Sequence, residues 1–215
     1  MKKTSLACLL LLALGLCACS SLWDATREHV FGTAKRSILV DRVADAKDAQ
    51  EDTQQVFQNA LDEFASVITY EGGDLEAEYR KMQAAYDRCA AKAQTLDSRI
   101  DDVERVSKSL FKEWARENDQ YENPEYRRNS EAQLKATRQN CDEMIAAMRR
   151  AEAKVAPVLR VLHDQVLFLK HNLNAAALSS LQGEQARVEA DVAALVAEMN
   201  KAIAESQAFI DKMAK

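Results

Sequence analysis

Five cysteines and three histidines hold most of the reactive chemistry of this 215-residue chain. Cys8, Cys17 and Cys19 belong to an apolar N-terminal run, whereas Cys89 and Cys141 lie far apart in charged, helix-rich sequence. His163 and His171 are eight residues apart, which offsets them by about 80° on one helix. A metal held there would need further ligands from another helix, and HExxH does not occur, so no metal site is expected. The phosphate-binding patterns GxxxxGK[ST] and GxGxxG are also missing, and Gly72-Gly73 reads as a helix stop. No catalytic constellation and no cofactor are expected; the pattern is that of a non-enzyme.

The N-terminal cysteines have a more telling context. Lys2 and Lys3 precede an apolar stretch from Leu6 to Leu16, the layout of an export signal. That stretch falls short of the roughly 20 apolar residues a spanning helix needs. Leu16-Cys17-Ala18-Cys19 resembles the bacterial lipoprotein signal, with Leu three residues before the modified cysteine. Cys19 is the expected lipidation site; Cys17 fits worse, because bulky Leu16 directly precedes it. Plain secretion after cleavage at Ala18 is the alternative. Ser20, rather than Asp, favours the outer membrane in the usual sorting pattern. The expectation is a signal peptide over 1–18, a lipidated N-terminus and tether over 19–37, and a helical bundle domain over 38–215. Acyl chains such as palmitate each add about 0.8 kcal/mol of membrane affinity per buried methylene, so several chains make a lasting anchor.

Loss of Lys2 and Lys3 leaves 27 basic and 34 acidic residues, a net charge of −7 on the mature chain. Nucleic-acid binding rests on neutralising phosphates, so no nucleic-acid partner is expected.

The elements that must position any site are helices. Only five Gly and two Pro occur, and Ala, Glu, Gln, Lys, Arg and Leu dominate. Breaks at Gly72-Gly73, around Pro124 and at Asn172–Asn174 cut the chain into segments of about 34–71, 74–118, 125–172 and 175–214. The second carries apolar residues at alternating intervals of four and three from Leu75 through Cys89, Ile100 and Val103 to Trp114. The third does so from Leu134 through Cys141 and Met148 to Leu162, and the fourth from Leu178 to Met213. Such heptads predict coiled-coil packing. The first segment offers a broken stripe: Val43, Ala46, Thr53, Ala60, Phe64 and Val67. The fold class expected is all-α, an elongated antiparallel bundle of about four long helices. A fused third and fourth helix is the alternative, should the Asn172 break not be real.

Several finer expectations follow. Pro157 should kink the third helix. VLRVLHDQVLFLK is apolar on nearly every face, which places Leu162, Val166, Leu167 and Leu169 in the most enclosed part of the bundle. Asp41–Glu78 holds eleven acidic and two basic residues, Glu125–Arg160 eight basic and five acidic. The first and third helices are therefore expected side by side; an external partner for one stripe is the alternative. A hairpin turning at 119–124 sets Cys141 against Val103 and separates it from Cys89 by about 20 Å along the axis. A disulfide needs Cα atoms within about 7 Å, so buried free thiols are expected even in an oxidising compartment. Asn174 suits the N-cap of a helix starting at Ala175.

KRSILVDRVADAKDAQEDTQ (35–54), YEGGDLEAEY (70–79), the stretch 147–181 containing DQVLFLKHNLNA, and DVAALVAEMNKAIAESQAFI (191–210) together resemble a family of bacterial envelope lipoproteins classed as a domain of unknown function. The resemblance spans essentially the whole mature chain. It implies an all-helical exported protein and brings no reaction, cofactor or catalytic residue. The leading functional expectation is a scaffold or adaptor for an envelope protein partner, held at the membrane by its lipid, with a homo-oligomer also open. The alternative is a small apolar or lipid ligand bound within the bundle at 157–174, with His163, Val166, His171 and Asn172 as candidate contacts.

Overall fold

The structure, a computed structural model, describes residues 35–70, 72 and 74–214. The expected Cys19 lipid site lies outside these residues. Five helices follow one another: α1 Lys35–Ile68, α2 Leu75–Asn118, α3 Pro124–Glu152, α4 Val155–His171 and α5 Ala175–Met213. No strand occurs among the described residues. α3 and α4 form successive halves of one arm, so the architecture is an up-and-down bundle of four arms. The described helix begins at Lys35, three residues before the expected domain boundary.

Local chemistry sets the turns. Gly72 takes φ +87°, a conformation that costs little without a Cβ. Asp74 then caps α2 by accepting from the backbone N–H groups of Glu76 and Ala77. Asn123 caps α3 through Glu125, ahead of Pro124 at its first position. Asn174 caps α5 through Ala177 at 3.1 Å, as its position in the sequence suggests. The break at 172–174 is real, and the third and fourth arms are not fused.

α1 packs against α2 and α5, and the α3/α4 arm packs against the other sides of the same two helices. One seam of apolar side chains runs through the centre, with contributions from all five helices. The first helix proves continuous where a broken stripe was expected. Leu39, Val43, Ala46, Gln50, Thr53, Phe57, Ala60, Phe64 and Val67 are all buried at intervals of four and three. Gln50 and Thr53 interrupt the apolar pattern while keeping its geometry. Thr53 is satisfied, its hydroxyl donating to the Ala49 carbonyl at 2.7 Å. Gln50 is completely buried, and neither of its amide atoms has a hydrogen-bond partner.

The kink expected at Pro157 falls at residues 153–154. The missing proline N–H is the one that would bond the carbonyl four residues earlier, at Ala153, and the ring crowds that same carbonyl. α3 accordingly ends at Glu152, Lys154 N–H turns back to Ala151 O at 3.1 Å, and α4 starts with Pro157 in its first turn. The packing phase survives the break, since Met148, Ala151, Val155, Val158 and Leu162 are all buried.

The expected pairing of first and third helices does not occur. α3 lies diagonally across the bundle from α1, because the ring closes through α2 and α5. Its basic Arg149 instead reaches α2, with Asp97 at 2.9 Å, Glu104 at 2.8 Å and Asp101, and also meets Glu152 of α3 at 3.5 Å. Burial works against the guanidinium charge, but the hydrogen bonds it donates to Glu104, Asp101 and Asp97 outweigh that, so its pKa is raised. α2 and α3 are further joined at their turn. Trp114 donates to Ser130 Oγ at 2.9 Å, and Ser130 Oγ donates to Asn118 Oδ1 at 2.6 Å.

Burying Gln50 without partners removes two polar atoms from water with no return. Gln50→Met, which keeps the side chain's length, is expected to stabilise the fold by on the order of 1–3 kcal/mol. Urea denaturation followed by circular dichroism measures this; a lower midpoint would mean that the amide is hydrogen-bonded in solution.

Candidate functional site

The bundle has two unlike ends. At one, α1 starts: Lys35 bonds Ser109 at 3.0 Å, Arg36 bonds the Met213 carbonyl at 2.9 Å, and the α2–α3 turn lies beyond. At the other, Gln182 of α5 donates to the carbonyl of Ile68, the last residue of α1, at 2.8 Å. The 34 residues of α1 separate these ends by about 50 Å. The second end is therefore the one remote from Lys35, where the described chain begins.

α4 gives this remote end its character. Leu162, Val166 and Leu169 face the core and are buried, as expected from the sequence. Leu167 and Phe168 are not enclosed: they are 45% and 40% exposed, and Leu173 beyond them is 43% exposed. An apolar helix is dry all round only if neighbours surround it, and α4 sits at a corner of the ring against α2 and α5. Its outward face is left bare. The only other large exposed apolar residues among those described, Tyr121 and Tyr126, belong to the opposite end.

Between α4 and α5 runs an open groove of about 330 Å³. Val161, Asp164, Gln165 and Phe168 form one wall, at helical spacing on a single face of α4. Ser180, Leu181, Glu184 and Arg187 form the other wall on α5. Arg187 and Glu184 pair at 3.6 Å on the rim. Gln165 is 5% exposed, and its amide nitrogen and oxygen are both buried without a partner. Three other depressions, of about 390, 500 and 580 Å³, lie along α3. Charged side chains such as Glu143, Arg138, Lys135 and Lys212 ring them, and none contains a buried unpartnered amide among the described residues.

The four residues singled out from the sequence do not line this groove. Val166 belongs to the core. His163 turns to the α2 side, its ring 5.3 Å from that of Tyr86, with Nδ1 3.8 Å from Asp164. His171 is exposed as the last residue of α4. Asn172 closes that helix by donating from Nδ2 to the Phe168 carbonyl at 2.9 Å. Sequence reasoning missed Gln165, hidden as one polar letter in an apolar run, and all of the α5 wall. Its one available signal was a polar residue at a core-like interval from Leu162 and Leu169.

The groove presents apolar surface, the Ser180 hydroxyl and rim charges, and neither Cys89 nor Cys141 lines it. Cys89 and Cys141 are both buried and unpaired. Cys89 donates to the Val56 carbonyl at 3.5 Å. Cys141 lies against Ser107, one turn from the expected Val103. Burial pushes both thiols up to about 12. No group of three or more His, Cys, Asp or Glu among the described residues is placed to hold a metal. No described helix is long and apolar enough to cross a membrane.

The thiols yield a pH prediction. Each holds its proton more tightly folded, at about 12, than its ordinary value of 9.0. Their contribution to stability is therefore complete below pH 9 and is lost as pH rises toward 12. A thiol-reactive chromogen at pH 8 should leave both cysteines unmodified until urea unfolds the chain. The Cys89→Ala/Cys141→Ala double variant should lose stability less steeply above pH 9 than the parent.

A family model described as "Protein of unknown function (DUF2959)" matches residues 23–213. No curated protein and no solved structure matches the chain.

Proposed function

We propose that this chain, which belongs to the DUF2959 family of proteins of unknown function, is a non-enzymatic, lipid-anchored adaptor of the bacterial outer membrane. Cys19 carries the lipid on the periplasmic face, and the bundle holds a binding end away from the bilayer. The observation that carries the reading is the exposure of three large apolar residues close together in the chain, Leu167, Phe168 and Leu173, at the end remote from Lys35. Large exposed apolar residues that lie near one another offer surface for a partner to cover. Sixteen residues from Cys19 to Lys35 can reach at most about 55 Å, and the exposed apolar residues lie roughly 50 Å from Lys35 along the bundle.

Two observations favour an adaptor over an enclosed lipid carrier. Leu162, Val166 and Leu169 are packed into the continuous core, which leaves the space at 157–174 as an open groove. The two thiols are enclosed and protonated, as structural side chains are.

Mass spectrometry of the mature protein should show a triacylated Cys19 at its N-terminus. A photocrosslinking residue at position 173, introduced in the native host, should yield one dominant adduct with an envelope protein. Leu167→Ser should remove that adduct without lowering the melting temperature by more than a few degrees. An unmodified N-terminus or the lack of any adduct would overturn the reading.

A further inference from the structure

The apolar stripe of α3 runs further than its cover. Cys141, Met144 and Met148 are buried, and the same intervals of three and four carry the stripe back through Thr137 to Leu134. Yet no residue from Tyr121 to Asn140 is buried, and Leu134 and Thr137 are only partly covered. The cause is a difference in length. α5 ends at Met213, where Lys212 meets Asn140 at 3.1 Å, and α1 begins at Lys35, which bonds Ser109 of α2 at 3.0 Å. α2 continues past that level to Asn118 and α3 starts at Pro124, so the α2–α3 hairpin overhangs both neighbours. The α3 part of the overhang, Pro124 to Gln139, is about 24 Å long. Trp114 of α2 and Leu134 of α3 lie there on the margin of the core, each partly exposed. Side chains spaced for a core but left half in the open call for a further element to cover them.

We infer that residues 23–34 of the same chain cover the overhang, against Trp114 of α2 and Leu134 and Thr137 of α3. The chain enters at the right place, because Lys35 stands at the base of the hairpin, bonded to Ser109 and 3.4 Å from Glu113. It brings fitting side chains. Trp23, Val30 and Phe31 are large and apolar, and Phe31 precedes the buried Ile38 by one heptad. A plain spacer needs none of these. The length is sufficient: the segment spans about 18 Å as helix and about 40 Å extended, against an overhang of about 24 Å. The family model begins its match at residue 23 rather than at the start of α1, which groups these residues with the bundle. Covalent attachment beside the hairpin gives the segment an effective concentration in the millimolar range, an advantage that a second copy or a separate partner lacks. Docking of this kind leaves four residues from Cys19 to Trp23, a reach of about 14 Å in place of about 55 Å. Acylation of Cys19 is not required for the contact.

The test uses the mature chain purified from its native host. Photoreactive benzoylphenylalanine in place of Phe31 is irradiated in a mixture of isotopically light and heavy protein, and the adducts are mapped by digestion and mass spectrometry. They should join residue 31 to 110–118 or 130–140 within single chains, light to light and heavy to heavy. Trypsin gives an independent reading. The bond after Arg27 should be cut at least about tenfold faster in Leu134→Asp and in Phe31→Ser than in the parent, because loss of the contact opens the segment locally. Both variants should keep the helical circular dichroism of the parent, since Leu134 is partly exposed and Phe31 lies ahead of α1. Adducts that join light to heavy chains would assign the overhang to a second copy. Adducts confined to lipid or to other proteins would assign the segment elsewhere. Either result overturns the inference, as does the lack of any adduct or equal cleavage after Arg27 in parent and variants.

Discussion

Each of the four arms carries its inward residues at alternating intervals of three and four, and a helix patterned in this way stays partly wet until neighbours cover both sides of its stripe. Fully burying one Leu, Ile or Phe contributes about 1.5–3 kcal/mol. The seam from Leu39 to Val67 on α1, with its counterparts on the other helices, is therefore the dominant stabilising interaction. Closing the ring through α2 and α5 decides who meets whom. It sets α1 across the diagonal from α3 and leaves Arg149 to be met by the carboxylates of α2.

The seam tolerates departures from the pattern, and these departures give the molecule its particular features. Gln50 occupies a core position without partners, at a cost that the apolar layers around it absorb. Pro157 withholds one N–H from the third arm, which breaks at 153–154 and resumes in phase because the inward residues on both sides still face the same seam. The short α4 that results is apolar on more faces than its two neighbours can cover. Its outward side chains and the groove beside α5 are what the closed ring leaves over.

The two ends of the bundle differ in the side chains they present. Tyr121, Tyr126 and the start of α1 at Lys35 lie at one end; Leu167, Phe168 and Leu173 lie at the other. Rigid helices roughly 50 Å long keep the ends apart without any hinge. The buried thiols serve as small packing groups in the interior of the bundle.

Much of the fold was legible in the amino acids because it depends on local rules. Gly72, Pro124 and Asn174 act within a turn or two of their own position, so these breaks and the Asn174 cap could be read directly, and the Asp74 and Asn123 caps that the structure adds obey the same local rule. The heptads of α2, α3/α4 and α5 likewise identified their inward faces, while the stripe expected on α1 omitted Phe57 as well as the polar Gln50, both of which are buried on that face. What the chain alone left open was everything that depends on a second helix. Which arms are neighbours, that Leu167 and Phe168 face outward although Leu162 and Leu169 do not, and that Gln165 lies opposite Leu181 and Glu184 are consequences of ring closure. A stripe specifies that a face must be covered, but the partner that covers it, and the surface left bare, are settled only when all the helices compete for the same core.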